Sequence, residues 1–100
     1  MTVDLSNVAV IIPALNEAEN LPHVLNAMPA VGSILVVDNG STDSTVDVAV
    51  LHGAQVLHQP QRGYGNACQV GISEARRLEL DVVVILDGDH SFDPRELKHL

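Results

Sequence analysis

Four short apolar runs divide the chain, at residues 8–12, 34–37, 56–57 and 82–86. Each run is continuous rather than alternating, which is typical of strands covered on both faces of a parallel sheet. The fourth run is unbroken from Val82 to Leu86, so we expect it to lie inside the sheet. Pro13 ends the first run, because proline has no N–H group with which to continue a strand ladder.

Helical spacing follows each of the first two runs. Leu21, Val24, Leu25 and Met28 share one helical face, and Pro22 is tolerated in the first turn of such a helix. A second, short helix is predicted to start from a cap at Ser41 or Thr42. We expect this second helix to turn its apolar side chains toward the core, namely Val46, Val50 and Leu51.

A third helical face consists mostly of small residues, which favours close approach to a sheet: Ala67, Cys68, Gly71, Ile72, Ala75 and Leu78. After the fourth run, Asp93 and Glu96 form the pattern of a capping box, so a further helix is predicted from Pro94. The order βαβαβαβ predicts right-handed crossovers and a doubly wound, Rossmann-like α/β sandwich of three layers with a mostly parallel sheet. At 100 residues the chain is one domain.

Composition narrows the classes of ligand. A formal net charge of -8 argues against nucleic acid, because phosphate backbones require clustered Lys and Arg. The single cysteine, Cys68, excludes an internal disulfide and a zinc cluster, and we expect a packed thiol in a reducing compartment. No apolar run is long enough to span a bilayer and the N-terminus lacks signal-peptide features, so we expect a cytoplasmic protein.

Polar residues gather where the predicted strands end, at residues 16–17, 38–43, 62–66 and 87–90. In an open parallel sheet these ends face one crevice, and ligands bind there. The opposite ends of the strands carry no comparable chemistry. The sequence therefore predicts a polar ligand at the carboxyl edge.

Two acids follow the fourth run at once: Asp87 and Asp89 straddle Gly88. Close carboxylates repel each other unless a cation lies between them, which favours a hard divalent ion that also holds a phosphate. The alternative is that Asp87 caps a turn and Asp89 is solvated. We interpret the neighbouring His90 as a solvated loop histidine rather than a metal ligand.

Arg62, Gly63 and Gly65 precede a helix and offer a positive group and free amides to a phosphate, although the glycines alone would serve a turn equally well. Their spacing is not that of a dinucleotide-binding loop. Asp38 has two interpretations, a contact to a base or ribose and a cap for the turn at Ser41. Glu17 likewise has two, a ligand contact and a complement to the first helix dipole. We assign Asp43 to a helix N-terminus.

Four segments in this order, IIPALNEAENL, VVDNGSTDST, QRGYGNACQVGI and VVVILDGDHSFDP, resemble the N-terminal half of glycosyltransferase family 2. That family comprises inverting enzymes of the GT-A fold, and the chain looks most like its dolichyl- or polyprenyl-phosphate sugar transferases. The resemblance implies a single nucleotide-sugar-binding domain over residues 1–100, truncated before an acceptor-binding half.

The resemblance also implies roles for individual residues. The nucleotide pocket would be lined by Pro13, Ala14, Asn16 and Glu17, with Asp38 at the base and Arg62 and Gly63 near the ribose and diphosphate. The segment Asp87, Gly88 and Asp89 matches the D-x-D motif of the family. There Asp87 and especially Asp89 would bind Mg²⁺ or Mn²⁺ on the donor diphosphate.

The function implied is inverting transfer of a sugar from a UDP- or GDP-linked donor to an acceptor such as a polyprenyl phosphate. Because an acceptor phosphate is already ionised, no catalytic base is assigned. We expect a homodimer to cover apolar surface left by the absent half. Two alternatives remain at this point: a non-catalytic nucleotide-binding or assembly module, and a phosphotransferase of the haloacid dehalogenase type, whose nucleophile motif is also D-x-D.

Overall fold

The computed structural model describes residues 4–88. Its elements follow the predicted βαβαβαβ order: β1 (Val8–Ala14), α1 (Leu21–Asn26), β2 (Ser33–Asp38), α2 (Thr45–Leu51), β3 (Gln55–His58), α3 (Tyr64–Arg77) and β4 (Val82–Ile85). All strand pairs are parallel, and the strand order across the sheet is β3-β2-β1-β4. The predicted α/β fold class is confirmed.

Strand β1 lies at the centre of this sheet, and its two faces feed two separate cores. Val10 and Ile12 pack with α1 and α2, whereas Ala9 and Ile11 pack with α3 on the opposite face. All four are fully buried. Burying a large aliphatic side chain stabilises a fold by about 1.5–3 kcal/mol, so β1 anchors both outer layers of a three-layer sandwich.

Helix α1 matches its prediction. Leu21, Val24 and Leu25 are buried, and Met28 packs against the same core. Pro22 lies in the first turn, where its missing N–H group costs no hydrogen bond.

The prediction for helix α2 was wrong in its start and in its buried face. The helix begins at Thr45, after an N-cap at Ser44, and its core-facing residues are Thr45 and Ala49. Val50 and Leu51, expected to face inward, are 61% and 81% exposed. The reason is register: residues 45 and 49 are four apart and share a face, so the next two positions turn away from it.

The prediction that β4 is buried was also wrong. Its run of apolar residues was predicted to be covered on both faces, but Val82, Val83 and Ile85 are 47%, 38% and 37% exposed. Within residues 4–88 the strand pairs only with β1 and lies at the edge of the sheet. Side-chain type indicates suitability for burial, not the presence of a covering layer. The predicted capping box and helix from Pro94 lie outside the described residues.

Helix α3 packs closely on the sheet through its small residues. Ala67, Cys68, Gly71 and Ala75 are buried as predicted, while Ile72 is 36% exposed. Near its C-terminus Glu74 accepts hydrogen bonds from Gln55 of β3 and from Arg77 in a two-pronged pair. This polar contact joins the helix to the edge strand.

We expect the Glu74 carboxyl to titrate far below an ordinary glutamate. Hydrogen bonds from Arg77, then from Gln55, lower its pKa from 4.5 to about 2. Since the folded pKa is depressed, the contact contributes stability above pH 4.5 that is lost as the pH falls toward 2. NMR titration of the side-chain carbon measures this pKa. In the Arg77→Gln variant it should rise toward 4.5, and an unchanged pKa would contradict the assignment.

Within the part of the chain that the structure describes, no helix has the length and apolarity required to cross a bilayer.

Candidate functional site

The strand order places a topological switch point between β1 and β4. Chain progression runs from β1 outward through β2 to β3, and then returns to the other side of β1 for β4. Helices α1 and α2 therefore cover one face and α3 the other. In open parallel sheets ligands bind at the carboxyl edge beside such a point, because the adjoining loops diverge and leave a crevice.

A pocket of about 240 Å³ occupies this crevice. Pro13 and Ala14 at the end of β1 form one wall, and Asp87 and Gly88 after β4 form another. The remaining lining residues are Leu15, Glu17, Asn39 and Tyr64. Five of the residues assigned from the sequence thus meet in one pocket: Pro13, Ala14, Glu17, Asp87 and Gly88.

Two carboxylates, Glu17 and Asp87, lie in the lining of this pocket. Gly88 lies next to Glu17: a Cβ atom on Gly88 would be 3.4 Å from Glu17 Cγ. Glu17 Oε2 also accepts a hydrogen bond of 3.2 Å from Asn20 Nδ2, which orients its side chain. The pocket is therefore lined by two carboxylates, Glu17 from the loop after β1 and Asp87 from the end of β4, and we call this pair the acidic wall.

Tyr64, the first residue of α3, borders the same pocket and is 59% exposed. Partial loss of solvent raises the pKa of its phenol, with further contributions from neighbouring Cys68 and from the charge of Asp87. A tyrosine is protonated at neutral pH even without such a shift, so Tyr64 brings a neutral hydroxyl group to the pocket.

Asn16 does not line the pocket, but holds the loop after β2. Its Oδ1 accepts hydrogen bonds from the backbone N–H groups of Thr42 (2.8 Å) and Asp43 (3.3 Å). Its own N–H donates to Ser41 Oγ at 2.9 Å. Asn16 has a φ of 55°, a left-handed conformation that asparagine tolerates better than most residues. This loop is therefore fixed to the end of β1.

Asp43 makes a further connection between the loop after β1 and the start of α2. It accepts hydrogen bonds from the N–H of Thr45 (3.0 Å) and of Ala18 (3.3 Å), and from the Thr45 hydroxyl. The Thr45 hydroxyl bond is the main cause of a lowered Asp43 pKa. The carboxylate stays ionised next to the start of α2, in keeping with its predicted position at a helix N-terminus.

Asp38 ends β2 and is 7% exposed. Its Oδ1 accepts a hydrogen bond of 3.2 Å from the N–H of Ser41, and His58 Nδ1 lies 3.8 Å from its Oδ2. The turn-capping interpretation of Asp38 is thus seen directly, and the residue lies outside the pocket lining.

Arg62 is exposed and lies over the turn after β2: a Cβ atom on Gly40 would be 3.4 Å from its Nε. Its guanidinium has no hydrogen-bond or ion-pair partner among residues 4–88. Gly63 has a φ of 128°, which a side chain would strain. Within the described residues Arg62 is therefore an unpaired cation at the carboxyl edge of the sheet.

Asn39 was not assigned a role from the sequence, yet it is 7% exposed and both lines the pocket and bonds to the loop at 59–63. The only sequence signal was its position directly after a strand-ending aspartate, which is equally typical of an ordinary turn. Its contacts depend on tertiary structure.

The donor atoms at the acidic wall suit a hard divalent cation. Carboxylate oxygens are the ligands that Mg²⁺ and Mn²⁺ prefer, and Mg²⁺ commonly uses one or two of them together with substrate phosphates. Among residues 4–88 no three His, Cys, Asp or Glu side chains form a metal-binding group. Asp89 and His90 lie outside the described residues.

The fold and this pocket define an α/β protein with a ligand crevice at its sheet edge. Residues 9–100 match the family model described as glycosyl transferase family 2, and the chain belongs to that family. This match spans all four of the segments on which the resemblance depended. The haloacid dehalogenase alternative, which depended on the D-x-D pattern alone, is therefore set aside.

Among individual proteins, the chain is 47% identical over 93 residues to an uncharacterized glycosyltransferase of Mycobacterium tuberculosis, covering 93% of this chain and 41% of that protein. It is 38% identical over 102 residues to polyprenol monophosphomannose synthase of Mycolicibacterium smegmatis, covering 91% and 38%. The chain thus spans less than half the length of these relatives.

A solved structure extends the likeness to three dimensions. Glucosyl-3-phosphoglycerate synthase from Mycobacterium tuberculosis, in complex with Mn²⁺, uridine diphosphate and glucosyl-3-phosphoglycerate, superposes with a TM-score of 0.63 at 28% identity. The alignment covers 81% of this chain and 33% of that one. The predicted GT-A type of fold is confirmed.

Proposed function

We propose that this chain binds the nucleoside diphosphate of a nucleotide sugar in the pocket between β1 and β4, for inverting transfer of the sugar. The observation that carries the proposal is the acidic wall of Glu17 and Asp87 at the switch point of the sheet. Such a wall suits a cation and, through it, a diphosphate. Membership of the family favours a nucleotide sugar over other phosphorylated ligands.

Within this proposal Pro13 and Ala14 contact the nucleotide. Asp38 caps the turn after β2 outside the pocket lining, so it contacts the base only where the base extends beyond the pocket. Arg62 contacts the diphosphate, which is supported by its lack of any partner among residues 4–88. The Gly63 N–H already donates to Asn39, so Gly63 contributes backbone shape near the ribose rather than a free amide. Asn16 acts through the loop that it holds.

Asp87 and Asp89 would hold Mg²⁺ or Mn²⁺. When bound, the ion supplies Lewis-acid neutralisation of charge on the departing nucleoside diphosphate. Complexes of glucosyl-3-phosphoglycerate synthase with Mn²⁺ or Mg²⁺ and uridine diphosphate support this choice of cofactor.

The acceptor that we propose is a polyprenyl phosphate, on the strength of the polyprenol monophosphomannose synthase relative. Its phosphate is ionised at neutral pH, so we assign no catalytic base in residues 1–100. A homodimer, a single domain over those residues and a cytoplasmic location remain predictions.

Titration calorimetry of UDP and GDP with Mn²⁺ tests the donor site. We expect one of them to bind, and Arg62→Gln to weaken that binding about tenfold because a charge-assisted contact to phosphate is lost. Arg76→Gln is the matched control, since Arg76 lies in the last turn of α3, away from the pocket. Failure of both nucleotides to bind, or equal effects of the two substitutions, would contradict the proposal. Binding without any sugar transfer would favour the non-catalytic module.

A further inference from the structure

The side chain of Asn39 makes three hydrogen bonds at the carboxyl edge of the described sheet. Its Nδ2 donates to the carbonyl oxygens of Gln59 (2.7 Å) and Gln61 (3.0 Å), and its Oδ1 accepts from the N–H of Gly63 (3.1 Å). Its own backbone N–H donates to Ala14 O at 2.9 Å. One side chain therefore connects three points of a loop to the end of β2.

The loop at residues 59–63 has no regular secondary structure of its own. Its residues are mostly exposed, so water could pair their backbone groups, and hydrogen bonds to the protein are what give the loop one conformation. Asn39 makes three of these hydrogen bonds, and the left-handed Gly63 sets the direction in which α3 begins. The conformation of this loop therefore depends on a contact between residues about twenty positions apart.

Arg62 lies between two of the clamped positions. The clamp therefore fixes the backbone at Arg62, and with it the point from which the Arg62 side chain extends. A second bond, from Asn66 Nδ2 to Arg62 O (3.0 Å), holds the same peptide from the helix. Tyr64 follows directly and borders the pocket.

Asn39 also lines the pocket, so a direct contact with the ligand must be weighed. An asparagine side chain has only two N–H donors, and in Asn39 both already form hydrogen bonds. A phosphate accepts hydrogen bonds, and the Asn39 side chain has no unused donor to offer it. Its contacts fit a structural support for neighbouring groups.

We infer that Asn39 is a positioning residue, which sets Arg62 and Tyr64 against the nucleotide by clamping the loop at 59–63. The inference builds on the proposed function, because Arg62 is the group through which Asn39 acts. It adds a residue to which no motif assigned a role. It also connects the end of β2, through the loop at 59–63, to the proposed phosphate contact of Arg62.

A double-mutant cycle tests whether Asn39 acts through Arg62, with UDP or GDP and Mn²⁺ as the probe. Asn39→Ala removes both donors and the acceptor without adding a charge beside the phosphate, so we expect nucleotide affinity to fall about tenfold, as in Arg62→Gln. The double variant should bind no more weakly than Asn39→Ala alone. Additive losses, about a hundredfold together, would overturn the inference, as would full affinity in Asn39→Ala. Asn26→Ala, exposed on α1, is the control.

Hydrogen exchange tests the clamp without any ligand. In Asn39→Ala the Gly63 amide should exchange at least about tenfold faster, while amides within α3 keep their wild-type rates. Unchanged exchange at Gly63 would overturn the inference. If the wild-type chain bound neither nucleotide, the proposed function would fail, and this measurement would still decide whether Asn39 holds the loop.

Discussion

Replacing Asp87 by asparagine is expected to reduce the affinity for nucleoside diphosphate in Mn²⁺ by about a hundredfold or more. Even residues that merely support metal ligands change affinity by about 10–100-fold, so loss of a ligating carboxylate should reach at least the upper end of that range. Asparagine preserves the size of the side chain, which isolates the charge.

Calorimetry with and without Mn²⁺ provides the measurement, together with the unfolding midpoint of each variant. Asp87 is exposed, so its replacement should leave the free energy of unfolding within about 0.5 kcal/mol of wild type. Asp47→Asn on α2 is the control, because Asp47 is also exposed and lies outside the pocket lining. An effect of Mn²⁺ on affinity that is as large in Asp87→Asn as in the wild type would refute the assignment of Asp87 as a ligand.

Replacing Gly71 by alanine is expected to destabilise the fold by about 1–3 kcal/mol, the usual range for overpacking a core. A Cβ atom at this position would lie 2.5 Å from Ile11 Cγ2 and 2.9 Å from Cδ1. Ile11 is fully buried in the central strand. It therefore has little room to move, and helix α3 would be pushed away from the sheet.

Gly65→Ala provides a matched control on the same helix. Nothing lies within 4 Å of a Cβ atom at Gly65, so alanine there should be neutral or stabilising by up to about 1 kcal/mol through its better helix propensity. Urea denaturation of both variants measures the contrast in the free energy of unfolding. If Gly71→Ala were as stable as Gly65→Ala, the close packing of α3 on β1 would be refuted.

The sequence predicted the position of the candidate site, because that position depends on the direction of the strands. Parallel strands place all their C-terminal loops at one edge, so the loops after β1 and β4 were expected to meet, and Pro13, Ala14, Glu17, Asp87 and Gly88 line one pocket. The sequence did not separate lining residues from residues that hold the loops. Asn16 and Asp38 form hydrogen bonds within the loops, while Asn39, to which no role was assigned, lines the pocket.

The sequence by itself determined the order of strands and helices, the small-residue face of α3 and the family of the protein. These depend on local periodicity and on motifs that are read within a few residues. Only the tertiary structure decided that Val50 and Leu51 face outward, that β4 lies at the edge of the described sheet, and that Asn39 clamps a distant loop. The reason is that burial and hydrogen bonding depend on neighbours from remote parts of the chain, whereas a sequence pattern records only which neighbours a residue would suit.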